Sequence, residues 1–483
     1  MSRLEFAVAP ADSAALVRLS ALQRVGRATP VQILWHDTPG GTLALQGRSV
    51  SSEYGLWRLE ALGPAAASWP PATPTPILAT ASSPRLLDLD PAELAPIAAF
   101  TGQRRRYSVP SDTQTVTVAI LSGALRGVAT EQRVCRVSLE GPDAQLYAIA
   151  GQMAAGARIS VPRAGLGAEA VAVARGQDVT PRHLGTPAML PGRPLSDNIA
   201  VIVGQLLDVM LHWSGPASAG DTPMGVHQMR VATRRLRSAF SIFRDVAACD
   251  HTAALSPALR DLAAILGGAR DWDVFLAGTG ADVAAAFPGD RRVRTMLAAA
   301  ARQRTAAYGS LRAYLISPAF RMLEVNLGCT AALRPWETPD DSGPLRQDTA
   351  LFATTVLTRR HRRVRRAGRH INALPVEALH ELRKDCKRLR YAAEFFQPLF
   401  PVKPGRRYVR ALAALQEELG ALNDGAAAAG LMGHLGRTER SYAAGIVAGF
   451  VAANAGNQRA GIVSRWERFR ANPEFWTLPR SSS

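Results

Sequence analysis

Two segments of this 483-residue chain carry cations at matching places. VHQMRVATRRLRSAFSIF occupies residues 226–243, and LHELRKDCKRLRYAAEFF occupies residues 379–396. On a helix turning about 100° per residue, His227, Arg230, Arg234 and Arg237 fall within roughly 80° of one another. His380, Arg383, Lys387 and Arg390 form the same stripe in the second segment, and Arg235 and Arg388 widen the two stripes at one edge. Successive members lie about 4.5–6 Å apart along the axis. Each is therefore spaced to meet a different phosphate of a chain laid along the helix. Arginine donates two N–H groups at once to phosphate oxygens and keeps its charge. The histidine adds a neutral donor or, beside a polyanion, a further positive charge. Like charges at these spacings weaken an isolated helix slightly, and no acidic residue is expected on either stripe to offset them. A single basic run is most often a solvated face, but two runs in register favour an external anion. The plainer role for each histidine is capping or packing near the start of its helix.

The elements that must hold these stripes follow from the same repeat. An offset of 153 residues aligns the two segments, and without a gap it also aligns LAAILGGARD at 262–271 with LQEELGALND at 415–424. Opposite the cations lie apolar faces: Met229, Leu236, Ala239, Phe240 and Phe243 in one copy, Leu382, Leu389, Ala393 and Phe396 in the other. From residue 196 to about 470 the apolar residues keep helical spacing, so this half is expected to be nearly all α, a duplicated bundle with pseudo-two-fold symmetry. Asp271 and its counterpart Asp424 are expected to cap a helix or pair with a stripe arginine. No second carboxylate recurs beside them, so no catalytic residue and no metal site is assigned. A further run, RRHRRVRRAGR at 359–369, holds seven arginines and leads into the second segment.

Residues 1–180 read differently. Short strands are expected at 4–8, 31–35, 56–60, 116–121, 133–140 and 168–174, with helices at 11–25 and 143–155 and a Pro/Ala-rich loop at 63–75. Residues 181–194, rich in Pro and Gly, form the expected linker. The whole is an α+β chain of two domains, 1–180 and 195–475, the second divided into halves at about 195–335 and 345–475.

The charge sits with the repeat. The 57 basic and 39 acidic residues leave a net +18, of which residues 1–195 supply +4 and residues 196–483 supply +14. Such a field suits nucleic acid, anionic lipid or another polyphosphate. The four cysteines have no CxxC or metal-ligand spacing, which fits a reducing compartment. No signal peptide and no uncharged apolar run of about 18 residues is legible, so a cytoplasmic protein without a membrane span is expected.

VHQMRVATRRLR and LHELRKDCKRLRY resemble the two hallmark segments of the CHAD domain, the conserved-histidine α-helical domain, over about residues 195–475. The resemblance implies two pseudo-symmetric four-helix bundles around a basic channel that binds inorganic polyphosphate, and association with polyphosphate granules. His227, Arg230, Arg234, Arg235 and Arg237 would line one side of the channel; His380, Arg383, Lys387, Arg388 and Arg390 would line the other. No cofactor is implied. The N-terminal half is similar to the CYTH domain, the triphosphate tunnel fold, through WHDTP at 35–39 and VSLEG at 137–141. Of that family's opening ExExK signature, residues 3–7 keep only Glu5; the Arg-x-Arg pair is not legible in GRSVSSEYGLWRLE, and 118–123 lacks the metal-binding aspartate. A tunnel that hydrolyses triphosphate needs clustered carboxylates for a divalent metal, so a degenerate, non-catalytic barrel is expected. The alternatives are an active metal-dependent triphosphatase in that domain, or a non-specific nucleic-acid binder. Few aromatics interleave with the stripe, which disfavours base stacking, but charge alone does not separate polyphosphate from DNA.

Overall fold

A computed structural model describes residues 1–19, 22–62, 70–109, 115–128, 130–338, 343–435, 445–447, 449 and 458–477, and of 421–429 the backbone alone. The N-terminal domain is one antiparallel sheet of nine strands: β1 (Ser2–Val8), β2 (Gln23–Asp37), β3 (Arg48–Glu53), β4 (Leu56–Ala61), β5 (Ile77–Ala81), β6 (Ala95–Val109), β7 (Val116–Arg126), β8 (Glu131–Gly141) and β9 (Ile159–Ser160), in the order β5-β4-β3-β2-β6-β7-β8-β1-β9. Alternation decides the faces: in β1, Leu4, Phe6 and Val8 are buried, whereas Glu5 and Ala7 point the other way. The sheet curls until the stretch leading into β5 reaches β1, where the Glu5 N–H donates to the Ala72 carbonyl at 2.7 Å. Tight bending is possible at Gly102 and Gly123, which pair directly across β6 and β7. A Cβ on either would collide with the partner backbone and with the Phe100 ring.

Three short helices α1 (Ser13–Leu19), α2 (Thr42–Leu45) and α3 (Asp143–Gly156) accompany the sheet, and α4 (Leu166–Arg175) lies against its inner face. Two expectations are corrected here. Residues 168–174 are helical, not a strand. The alternation AEAVAVA imitates a strand period, but alanine favours the helix and Gly176, at φ 61°, closes it. Residues 11–25 give only a short helix, because β2 begins at Gln23 and pairs with Ser108. Leu166, Ala170 and Val173 of α4 pack on Val31, Ile33, Trp35, Phe100 and Leu125, filling the hollow with an apolar cluster. Part of the expected loop at 63–75, residues 63–69, lies outside the described residues.

The second domain is helical: α5 (Leu195–Ala219), α6 (Met224–Ile242), α7 (Arg244–Ala247), α8 (Asp250–Ala277), α9 (Thr279–Ala286), α10 (Arg291–Leu315), α11 (Pro318–Leu333), α12 (Thr349–Ala367), α13 (Val376–Phe396), α14 (Val402–Met432) and α15 (Gln458–Arg470). Adding 153 to the first residues of α5, α6 and α8 gives the starts of α12, α13 and α14 to within one residue. The two copies meet where their first helices begin, the Leu195 N–H donating to the Gln347 carbonyl. The predicted apolar faces are the buried ones except at Phe240, which is only partly buried: Met229, Leu236, Ala239, Phe243, Leu382, Leu389, Ala393 and Phe396 are all within 2% of full burial.

One core spans both domains. It runs from Leu4, Phe6 and Val137 through Leu146 and Met153 of α3 to Leu323 and Leu327 of α11 and on into both helical copies. Polar contacts reinforce the junction: Glu324 of α11 accepts from the Val161 N–H at 2.7 Å, and Arg182 pairs with Asp208 of α5 at 2.9 Å while donating to the Pro71 and Pro162 carbonyls. Burial pushes the Glu324 carboxyl up to about 7. Among the described residues, α5 alone is long and apolar enough to cross a membrane, but 72% of that window is buried inside the molecule. All four cysteines are free thiols.

Candidate functional site

The cations of α6 and α13 are held by the packing of the helices behind them. Each signature helix leans on the long helix that follows it, and at the contact a guanidinium passes over a glycine. A Cβ on Gly267 of α8 would lie 3.0 Å from Arg230 Nη1, and a Cβ on Gly420 of α14 would lie 3.2 Å from Arg383 Nη2. The two pairs are related by the 153-residue offset. Both glycines clear room for an arginine where larger side chains would displace it.

Between the two signature helices, Tyr391 of α13 is buried and receives a cation from each. The Arg234 guanidinium carbon stands 5.2 Å from its ring centroid and that of Arg390 stands 5.6 Å away. The Nε atoms of Arg234, Arg235 and Arg390 are buried without a hydrogen-bond acceptor. Burial holds Arg234 below the usual arginine range, and Arg390, Arg230 and Arg235 push it the same way against Tyr391. His227 is likewise held below its ordinary value, first by burial and then by Arg270, Arg234 and Arg230. Neither histidine caps its helix: α6 and α13 are preceded by Pro223 and Pro375, so His227 and His380 sit inside the first turns.

Beside this junction lies a cavity of about 620 Å³. Arg234 and Arg237 of α6, Arg244 of α7, Arg260 of α8, Arg360 of α12 and Arg388 of α13 line it, together with Ser238, Ser241 and Phe240. None of the lining residues is a carboxylate. The cations crowd one another: burial, then Arg359 and Arg388, bring Arg360 down to about 10, although Asp385 opposes them. Six guanidiniums so placed make a strongly positive recess with polar and apolar walls.

The stripes are therefore only partly united. Arg234, Arg237 and Arg388 share the cavity, and Arg234, Arg235 and Arg390 meet around Tyr391. His380, Arg383 and Lys387 lie on α13 outside the cavity lining. The expectation of no acidic counter-charge fails in the second copy. Glu394 accepts from Arg235 at 2.8 Å and forms an ion pair with Arg390 at 3.2 Å, and Asp385 accepts from Arg388 at 3.1 Å and from Arg363 at 2.7 Å. Asp385 falls between the aligned cations and Glu394 one turn beyond the last of them, and the folded geometry adds Arg363 to the first and Arg235 to the second. Arg244, Arg260 and Arg360 were not assigned from sequence, because they come from three other helices; Arg360 alone carried a signal, in the run at 359–369. Asp271 lies within α8 and does not cap its end, and the Asp424 side chain lies outside the described residues.

The hollow of the sheet holds a separate set of charges. Burial raises the Glu5 carboxyl, with Arg136 opposing, and Glu60 is pushed up to about 7 by burial and by the charge of Glu5. Arg136 pairs with Glu169 of α4, and Glu53 pairs with Arg58 and Arg104 at 2.7 and 2.8 Å. Burial pushes Glu53 up, but these two arginines hold it below the usual range. No group of three or more His, Cys, Asp or Glu among the described residues is placed to hold a metal ion.

Comparison with known proteins matches residues 201–433 to the family model of the CHAD domain. The solved CHAD domain of the plant Ricinus communis is 28% identical with a TM-score of 0.53, covering 60% of this chain and 98% of that one. Uncharacterized proteins from two Mycobacterium tuberculosis strains are each 31% identical over 222 residues, 43% of this chain. The match spans 41% of the length of those curated relatives.

Proposed function

Since residues 201–433 form a CHAD domain, we propose that the chain binds inorganic polyphosphate in the cavity between the two copies of its helical repeat. The observation that carries this reading is the convergence of six arginines from five helices on one recess with no lining carboxylate. Charge of that density calls for an anion bearing about one negative charge per phosphate along its length. Guanidiniums from several directions suit a flexible single-file chain, each fork taking oxygens of a different phosphate. A DNA duplex is too broad to enter such a recess and would touch only its rim.

The test is competition at physiological salt between labelled long-chain polyphosphate and unlabelled duplex or single-stranded DNA. Polyphosphate is expected to bind far more tightly than either. Equal affinities would reduce the protein to a generic polyanion binder.

On the same reading the N-terminal domain supplies no catalysis. Helix α4 fills the hollow where a tunnel substrate would lie, and Glu169, Glu53 and their arginine partners neutralise one another there. Tripolyphosphate incubated with Mg²⁺ or Mn²⁺ should remain intact; robust turnover refutes this assignment. Residence in the cytoplasm and recruitment to polyphosphate granules would follow from the ligand and belong to the same proposal.

A further inference from the structure

Helix α12 carries its arginines on two sides. Arg359, Arg360 and Arg363 turn toward the first: Arg360 donates to the Arg388 carbonyl at 2.7 Å, Arg363 pairs with Asp385, and Arg359 pairs with Asp245 at 3.5 Å. Arg362, Arg365, Arg366 and Arg369 recur at i, i+3, i+4 and i+7 and form a stripe on the other side. That stripe lines a separate recess of about 500 Å³, which Arg470 of α15 completes. Its floor is His361 and Trp466, both buried.

Five guanidiniums here face a single carboxylate among the lining residues. That carboxylate, Glu474, is itself engaged, lying 3.5 Å from His361 Nε2. Arg365 donates to the Arg470 carbonyl at 3.2 Å and Arg470 reaches Glu467 at 3.3 Å, contacts that orient both side chains at the rim. Arg362, Arg366 and Arg369 are exposed and have no ion pair among the described residues. A solvated basic face does not need such an arrangement. On the equivalent helix of the first copy, the 153-residue offset puts Val209, His212, Trp213 and Pro216 at these four places. That side of α5 is turned to the N-terminal domain, with Val209 in the shared core and His212 and Pro216 beside Arg163 and Arg182. One copy thus uses the face to bury a neighbour, and the other has filled it with unpaired cations around a recess.

We propose that the recess between α12 and α15 is a second oxyanion site, which takes a condensed phosphate of a few units independently of the central cavity. Its size suits a triphosphate-sized anion, and its five forks outnumber what one orthophosphate can engage. The site stands whether or not the central cavity binds polyphosphate.

Titration calorimetry of the full chain with sodium tripolyphosphate tests it, using three variants. The wild type is expected to show two classes of site. Arg362→Ala/Arg366→Ala/Arg369→Ala should weaken one class by more than about 30-fold. Arg234→Glu/Lys387→Glu should remove the other and leave this one. A control, Arg291→Ala/Arg294→Ala/Arg312→Ala, removes the same charge from the exposed side of α10 and should keep both. Retention of both classes by the α12 variant overturns the proposal, as does an equal loss in the control, which would reduce the effect to net charge. Loss of all binding by the α12 variant alone would uphold this site and sink the central one.

Discussion

In the first copy of the repeat, Ser241 stands one turn beyond Arg237, and the space around it is the arginine-lined cavity. In the second copy the matching position, one turn beyond Arg390, is Glu394. Its carboxylate accepts from Arg235 of one helix and forms an ion pair with Arg390 of the other. The cations are almost the same in the two copies, down to the glycines beneath Arg230 and Arg383, whereas two paired carboxylates occur only in the second: Asp385 where the first has Ala232, and Glu394 where it has Ser241. Two copies of a binding helix are thus not two equal binding surfaces. What distinguishes the second copy here is a pair of internal anions, of which Glu394 alone bridges the two signature helices.

The comparison can be broken most decisively by reversing one arm at a time. Arg234→Glu puts a carboxylate into the open cavity and is expected to lower polyphosphate affinity on the order of 100-fold. Lys387→Glu, its counterpart outside the cavity lining, should cost about 10-fold or less. Equal losses, measured by the same competition assay at one salt concentration, would show that both copies bind alike and that the asymmetry is without consequence.

A smaller and opposite effect is expected at Glu394. Glu394→Gln removes the internal anion and leaves Arg235 and Arg390 available, so affinity for polyphosphate should rise about 10-fold, with the salt dependence steeper by up to about two counterions. The variant should also melt at a lower temperature, because two half-buried guanidiniums lose the group that neutralised them. Glu381→Gln, on the exposed side of the same helix beside Lys384, is the control and should change little. If Glu394→Gln binds no more tightly than the control, the carboxylate is only a structural partner.

The repeat and the faces of α6 and α13 were legible because both rest on local periodicity: Met229, Leu236, Leu389 and Phe396 could be placed by counting. Resemblance then supplied the helical domain, and with it the expectation of a polyphosphate ligand. What could not be counted was assembled by tertiary contact. Arg244 and Arg260 reach the cavity from separate helices, and Arg235 meets Glu394 across 159 residues of chain. Glu394 did leave a trace, at i+4 from Arg390, but helical spacing alone does not say that a carboxylate will also bridge to a second helix. In the N-terminal domain the Ala–Val alternation of α4 outweighed alanine's own preference, so the element that fills the hollow was the one misread.

The unbroken core between sheet and helices also governs how this molecule comes apart. Phe6 and Val137 are buried in the same cluster as Leu323 and Leu327, so neither domain can lose its packing without exposing the other's. The sheet domain and the first copy of the repeat are therefore expected to unfold together, each holding the other's apolar surface from water. Among the described residues, the second copy has no such partner on its outer side. Excising the sheet domain is therefore expected to destabilise the half of the molecule that lies against it.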